Sequence, residues 1–130
     1  MTSDVSEKKK SAGVFNTPGY RAGDWVIISG QTGRVGEDLV PGGFEPECRQ
    51  ALKNVAAIVE QHGLPRTAIA KINIFLADMA DRTPLNKIYL EFFGDHLPAR
   101  TTVGVNQLSR NARVEIEGWA YAGPAGAKNA

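Results

Sequence analysis

The hydrophobic period of this chain switches between two values, and that restricts its fold more than any other property. Cys48, Leu52, Val55, Val59 and His62 follow one another at spacings of 4, 3, 4 and 3, which is one face of an α-helix. Pro46 in the first turn, Glu45 and Glu47 at the positive dipole end, and Gly63 past the last turn predict a helix over residues 46–62. A second helix is expected from Thr83 as N-cap and Pro84 at the first helical position. Leu85, Ile88, Tyr89, Phe92 and Phe93 form its buried stripe, and Gly94 ends it. Between and around the helices the period drops to two. Residues 25–30 (WVIISG) follow an Ala-Gly-Asp turn as the second strand of a hairpin, and 69–76 (IAKINIFL) is β-branched. An extended stretch opens at Arg100, and the last strand runs from Arg113 to Tyr121. The glycine-rich residues 31–44 are read as a loop without phosphate-loop spacing. The result is an α+β chain with a mixed sheet of about six strands and two helices on one face.

The last strand separates its side chains by chemistry. Val114, Ile116, Gly118 and Ala120 point one way, and Glu115, Glu117, Trp119 and Tyr121 the other. Thr101, Val103 and Val105 share one face of the strand before it, and Arg100, Thr102 and Gly104 the opposite one. Helices are expected over the aliphatic side. Large rings seldom stay exposed on a monomer, so a partner subunit is expected over the other side.

Composition removes several classes. At 130 residues there is room for one core, and 42% hydrophobic with 22% charged residues is ordinary globular content. We expect a domain over 13–122 between flexible tails at 1–12 and 123–130. A formal charge of +1 does not match the strongly basic surface of a nucleic-acid binder, and Lys8, Lys9 and Lys10 read as a solvated tail. Cys48 has no disulfide partner and reads as a small buried hydrophobe. His62 and His96 have no neighbouring cysteine, so no metal site is expected. No apolar run reaches the roughly 18 residues of a membrane span. The polar N-terminus lacks a signal-peptide pattern, and a cytoplasmic protein is expected.

The remaining chemistry lies in one arginine and one or two carboxylates. Arg100 can grip a carboxylate with its planar fork, and Glu115 can orient a water and move a proton. The same two residues can equally form a structural ion pair. A group of short motifs bears on that choice: Ser29-Gly30-Gln31 after an apolar strand, the helix segment 49–54 (RQALKN) with Gly63 beyond it, Asn86-x-x-Tyr89-x-x-Phe92-Phe93, Pro98-Ala99-Arg100-Thr101 and Val114-Glu115-Ile116-Glu117. In this order and spacing they are similar to the RidA/YjgF family of reactive-intermediate deaminases, also called the liver perchloric-acid-soluble protein family, over about residues 24–122.

That resemblance implies a chorismate-mutase-like fold and a homotrimer with clefts between subunits. It implies that Arg100 holds the carboxylate of a small 2-imino or enamine acid and that Glu115 positions the hydrolytic water, both as catalytic residues. Gly30, Asn86 and Thr102 would contact substrate, with Thr102 standing where the family often has cysteine or serine. The implied reaction is hydrolysis of a 2-iminobutanoate- or 2-iminopropanoate-like acid to a 2-oxo acid and ammonia, with no cofactor, no nucleic acid and no membrane partner. The alternatives are a non-catalytic carboxylate-binding or regulatory trimer and, third, an endoribonuclease. One departure bears on these: Asn16 stands where archetypal deaminases carry a tyrosine, and Tyr20 lies four residues further on. A second departure, Ser109 in place of a frequent proline, falls in a loop.

Overall fold

The structure is a computed structural model and describes residues 15–124. The expected tail at 1–12, with its three lysines, lies outside the described residues, as does 125–130 of the expected C-terminal tail. The chain opens with a hairpin of β1 (Gly19–Ala22) and β2 (Trp25–Gln31). Its turn passes through Gly23 at a φ of 58°, a conformation that glycine adopts without a Cβ penalty. A two-stranded ribbon of β3 (Arg34–Val35) and β4 (Asp38–Leu39) leads to α1 (Phe44–Gln61). Strand β5 (Ile69–Leu76) follows, then α2 (Arg82–Phe93), β6 (Ala99–Gly104) and β7 (Val114–Tyr121).

One five-stranded sheet runs in the order β1-β2-β7-β5-β6. Strands β5 and β6 are parallel and joined through α2, a crossover unit, while the other pairings are antiparallel. Among the described residues the sheet has five strands, against the expected about six, and β3 and β4 form a separate ribbon inside the segment read as a loop. That ribbon is tied to α1 by Asn54, whose Nδ2 donates to the carbonyls of Thr32 at 3.1 Å and Arg34 at 2.9 Å.

The helices lie on one sheet face. Leu52, Val55 and Val59 of α1 and Leu85 and Ile88 of α2 close over Val26, Ile28, Ile72, Ile74, Val114, Ile116 and Ala120, all buried in one cluster. Alternation does the sorting: every second residue of β7 turns to this side, as do Ile72, Ile74 and Leu76 of β5 beyond an irregularity between Ile69 and Lys71. Cys48 is in the same layer, and burial pushes its thiol up to about 12, so it is a neutral packing group.

Both helices begin earlier than their sequence signals indicate. Helix α1 starts at Phe44, so Pro46 occupies its third position; the first-turn N–H that proline lacks has no helical partner there. Helix α2 starts at Arg82 instead of after Thr83. Asp78 initiates the preceding turn by accepting from the Ala80 N–H at 2.9 Å. Asp81, next to the helix, turns its carboxylate to Arg113 instead of capping.

Among the described residues no helix lies on the other sheet face. Register puts Trp25 with Tyr121 and Ile27 with Trp119, and puts Asn73 and Phe75 with Glu117 and Glu115. Trp25 and Tyr121 touch with ring centroids 5.0 Å apart. Trp25, Ile27 and Val103 stay 40%, 38% and 41% exposed, which is a broad apolar surface for a small chain.

Candidate functional site

Arg100 sits near the start of β6, in register with Ile72 of β5, so it shares the helix-covered side of the sheet. Among the described residues β6 is the edge strand of the sheet. Arg100 Nε donates to Thr102 Oγ1 at 2.8 Å and its Nη2 to Asn86 Oδ1 at 2.6 Å. The guanidinium lies over the Tyr89 ring, with Arg100 Cζ 4.7 Å from the centroid. Asn86 and Tyr89 are one turn apart on α2 and thus on one face of it. A guanidinium has five N–H groups; these two contacts leave the others without a hydrogen-bond partner among the described residues, in a plane held by uncharged partners.

Electrostatics agrees with a receptor for an anion. Burial lowers the Arg100 pKa, and of its charged or titratable neighbours Tyr89 and Cys48 oppose the shift while Arg82 adds to it. No carboxylate is among them. Arginine nevertheless remains charged at any ordinary pH.

Glu115 is elsewhere. Its register partner is Phe75, whereas Arg100 pairs with Ile72 and Thr102 with Ile74. Adjacent residues of β5 point to opposite faces, so Arg100 and Glu115 are divided by the sheet itself. The ion pair allowed by sequence does not form within the chain. Their strands are not neighbours either, because β5 lies between β6 and β7.

Glu115 instead meets Gly30. A Cβ on Gly30 would collide with Glu115 Oε2, so glycine here leaves the carboxylate its room. The β2–β7 register shifts between Ile28 and Gln31, a bulge that re-aims the backbone beside the carboxylate. Burial, and then Glu117 two residues on, hold the Glu115 carboxyl above its ordinary range. Glu117 is itself held by Asn73 Nδ2 at 3.1 Å.

Two half-sites result. Arg100, Asn86 and Thr102 come together on the helix side, joined by Tyr89, which the sequence offered only as core. Its spacing of three from Asn86 was the available signal. Its hydroxyl is buried without a hydrogen-bond partner among the described residues. Glu115 and Gly30 form the other half. Ser29 Oγ donates to the Thr17 carbonyl at 2.6 Å, which brings the segment holding Asn16 toward that half. Asn16 is exposed. Within one chain Tyr20 does not lie beside Glu115: it pairs with Ile27, which pairs with Trp119, and Trp119 is roughly 13 Å along β7 from Glu115 by strand rise. Among the described residues no group of three or more His, Cys, Asp or Glu could hold a metal ion, and no helix is long and apolar enough to cross a membrane.

The family model described as Endoribonuclease L-PSP matches residues 6–122. The chain is 43% identical over 101 residues to the 2-iminobutanoate/2-iminopropanoate deaminase of Mus musculus, covering 76% of this chain and 75% of that protein. It is 42% identical over 100 residues to the deaminase of the same name from Dermatophagoides farinae, covering 75% and 77%. Among solved structures it superposes on E. coli TdcF with bound serine at a TM-score of 0.79, with 31% identity over 84% of this chain and 89% of that one. The E. coli YjgF gene product gives 0.78, with 35% identity over 82% and 87%. Sequence, fold and motif order agree, and the chain belongs to the RidA/YjgF/L-PSP family.

Proposed function

We propose that this protein hydrolyses small 2-imino acids, and their enamine tautomers, to 2-oxo acids and ammonia. The observation that carries the reading is Arg100, a half-buried guanidinium aimed by Thr102 and Asn86 with no carboxylate beside it among the described residues. Relatives named as 2-iminobutanoate/2-iminopropanoate deaminases and a structural neighbour with bound serine, itself a small carboxylate, support the substrate class.

In this reading Arg100 takes the carboxylate with its free N–H groups and fixes the imine carbon in position. Glu115 removes a proton from water as the oxygen adds to that carbon. The C=N π electrons move to nitrogen, which takes up a proton. The resulting carbinolamine loses ammonia as its hydroxyl oxygen re-forms a carbonyl. The net change is imino acid plus water to 2-oxo acid plus ammonia. A carboxyl with a raised pKa suits both taking and returning a proton near neutral pH.

The two halves lie on opposite faces of one sheet, so we infer that a site is completed between copies of the chain. The exposed Trp25, Ile27 and Val103 give the open face the apolar character of a subunit interface. The family resemblance supports a homotrimer with clefts between subunits as that assembly. Light scattering is expected to return the mass of three chains at micromolar concentration; a monomer mass would defeat this assembly.

The second reading is a carboxylate-binding module without turnover, favoured by Asn16 at the place of the family tyrosine. An endoribonuclease has less support. His62 Nδ1 and His96 Nε2 each lie against a backbone carbonyl, of Ile58 at 3.0 Å and Ile69 at 2.9 Å, and neither contacts Arg100 or Glu115. The deciding experiment presents freshly generated 2-iminobutanoate. Release of 2-oxobutanoate above the spontaneous rate is expected; release at the spontaneous rate, with retained 2-oxobutanoate binding, identifies the binding module.

A further inference from the structure

We propose that Arg82 is a second anion-binding side chain of the Arg100 half-site, and that the preferred substrate is a 2-imino acid with a second carboxylate. The inference builds on the imine-hydrolase reading and names the substrate class that reading leaves open.

Residues 82, 86 and 89 fall at i, i+4 and i+7 on α2, one helical face. Two of the three touch Arg100: Asn86 through its hydrogen bond and Tyr89 through its ring. The course of the helix locates the third. A Cβ on Gly104 would meet Met79 Cγ at 2.9 Å, so the turn before α2 lies by the far end of β6. Asn86 and Tyr89 lie by its start. The helix thus runs antiparallel to β6, and Arg82 comes between, on the Thr102 side of Arg100.

The acids flanking the start of α2 are Asp78, which accepts from the Ala80 N–H at 2.9 Å and forms no ion pair among the described residues, and Asp81, which is engaged with Arg113. Asp81 holds Arg113, with Nη2 to Oδ2 at 2.9 Å, and Glu45 and Glu91 hold Arg49 at 3.3 and 3.1 Å. No salt bridge or side-chain hydrogen bond involves Arg82 among the described residues, and Arg82 is exposed. Two guanidiniums therefore share one helix–strand edge with no carboxylate paired to either among the described residues, and Arg100 feels Arg82 as a like charge. A ligand with one carboxylate neutralises Arg100 alone. A dicarboxylate neutralises both, since an imino acid with its second carboxylate on the side chain extends away from the first toward Thr102 and Arg82. The reaction is unchanged: the imino dicarboxylate takes up water across its C=N bond and leaves as a 2-oxo dicarboxylate and ammonia.

The test compares kcat/KM on freshly generated 2-iminosuccinate and 2-iminoglutarate with that on 2-iminobutanoate, for the wild type, Arg82→Lys and Arg82→Leu. Calorimetry with 2-oxoglutarate and 2-oxobutanoate runs beside it. The wild type is expected to prefer at least one dicarboxylic imine by about tenfold, the worth of a charge-assisted hydrogen bond. Arg82→Leu brings the ratio close to one, and Arg82→Lys retains part of it. A wild-type ratio near one, or a preference kept in Arg82→Leu, overturns the inference. So does a smaller assembly mass in Arg82→Leu with no change in ratio, which would assign Arg82 to an acid of a neighbouring copy. If no imine is hydrolysed but 2-oxoglutarate binds more tightly in an Arg82-dependent way, the hydrolase reading fails and the second anion site stands.

Discussion

Arg100→Lys is expected to lower kcat/KM for 2-iminobutanoate by about a hundredfold, the scale of a small misplacement of a bound substrate, with the fold and the assembly mass unchanged. Lysine preserves the positive charge, so charge is not what is lost. Thr102, Asn86 and the Tyr89 ring hold a planar group at three points, and an ammonium on a flexible stem cannot satisfy all three and present a fixed edge. The imine would still be attracted but no longer oriented. The measurement is steady-state kinetics on a variant whose mass is checked by light scattering. Wild-type kcat/KM in the lysine variant would show that the planar grip is not what aligns the substrate.

Glu115→Gln is expected to lower turnover by about 10²–10⁴-fold, the usual contribution of a positioned acid or base, while affinity for 2-oxobutanoate changes little. Glutamine retains the size and one accepting oxygen but takes no proton. The pH profile gives a second readout. Burial, then Glu117, raises the Glu115 pKa, so the carboxyl stays protonated to a higher pH than an ordinary glutamate. The acidic limb of kcat/KM should therefore lie above the usual carboxylate range, and Glu117→Gln should move it down. Stability has its own sign: with the folded pKa raised, this group's contribution is full below its unfolded pKa and falls as pH rises through the folded one. A merely structural Glu115 would give a different pattern, with activity falling only in step with folded protein. Loss of binding and turnover together, or retention of both, would reject this division of labour.

What the sequence revealed and what it concealed divide by range. Strand β5 has the expected bounds, 69–76, because its β-branched run carries its own limits. The core faces of α1 and β7 were legible for the same reason, since each periodicity is a property of consecutive residues. The start of α2 was not. Asp81 is a good capping residue in isolation, but Arg113, 32 positions away, claims its carboxylate. The ribbon of β3 and β4 is two residues per strand, too short to show alternation, and owes its form to Asn54 on the following helix. The separation of Arg100 from Glu115 was the costliest to miss. Alternation told which neighbours share a side within each strand. Which side of β6 matches which side of β7 is set by their common pairing with β5, and no local pattern carries that.

A sheet standing between two reactive groups makes concentration part of the catalyst. On the assembled-site reading, a lone chain carries a carboxylate receptor and a proton acceptor that never meet. A newly made or highly diluted protein would therefore be inert however well it is folded. Specific activity would rise with total protein until association saturates, and its onset would report the strength of the subunit contact as directly as a sedimentation measurement does.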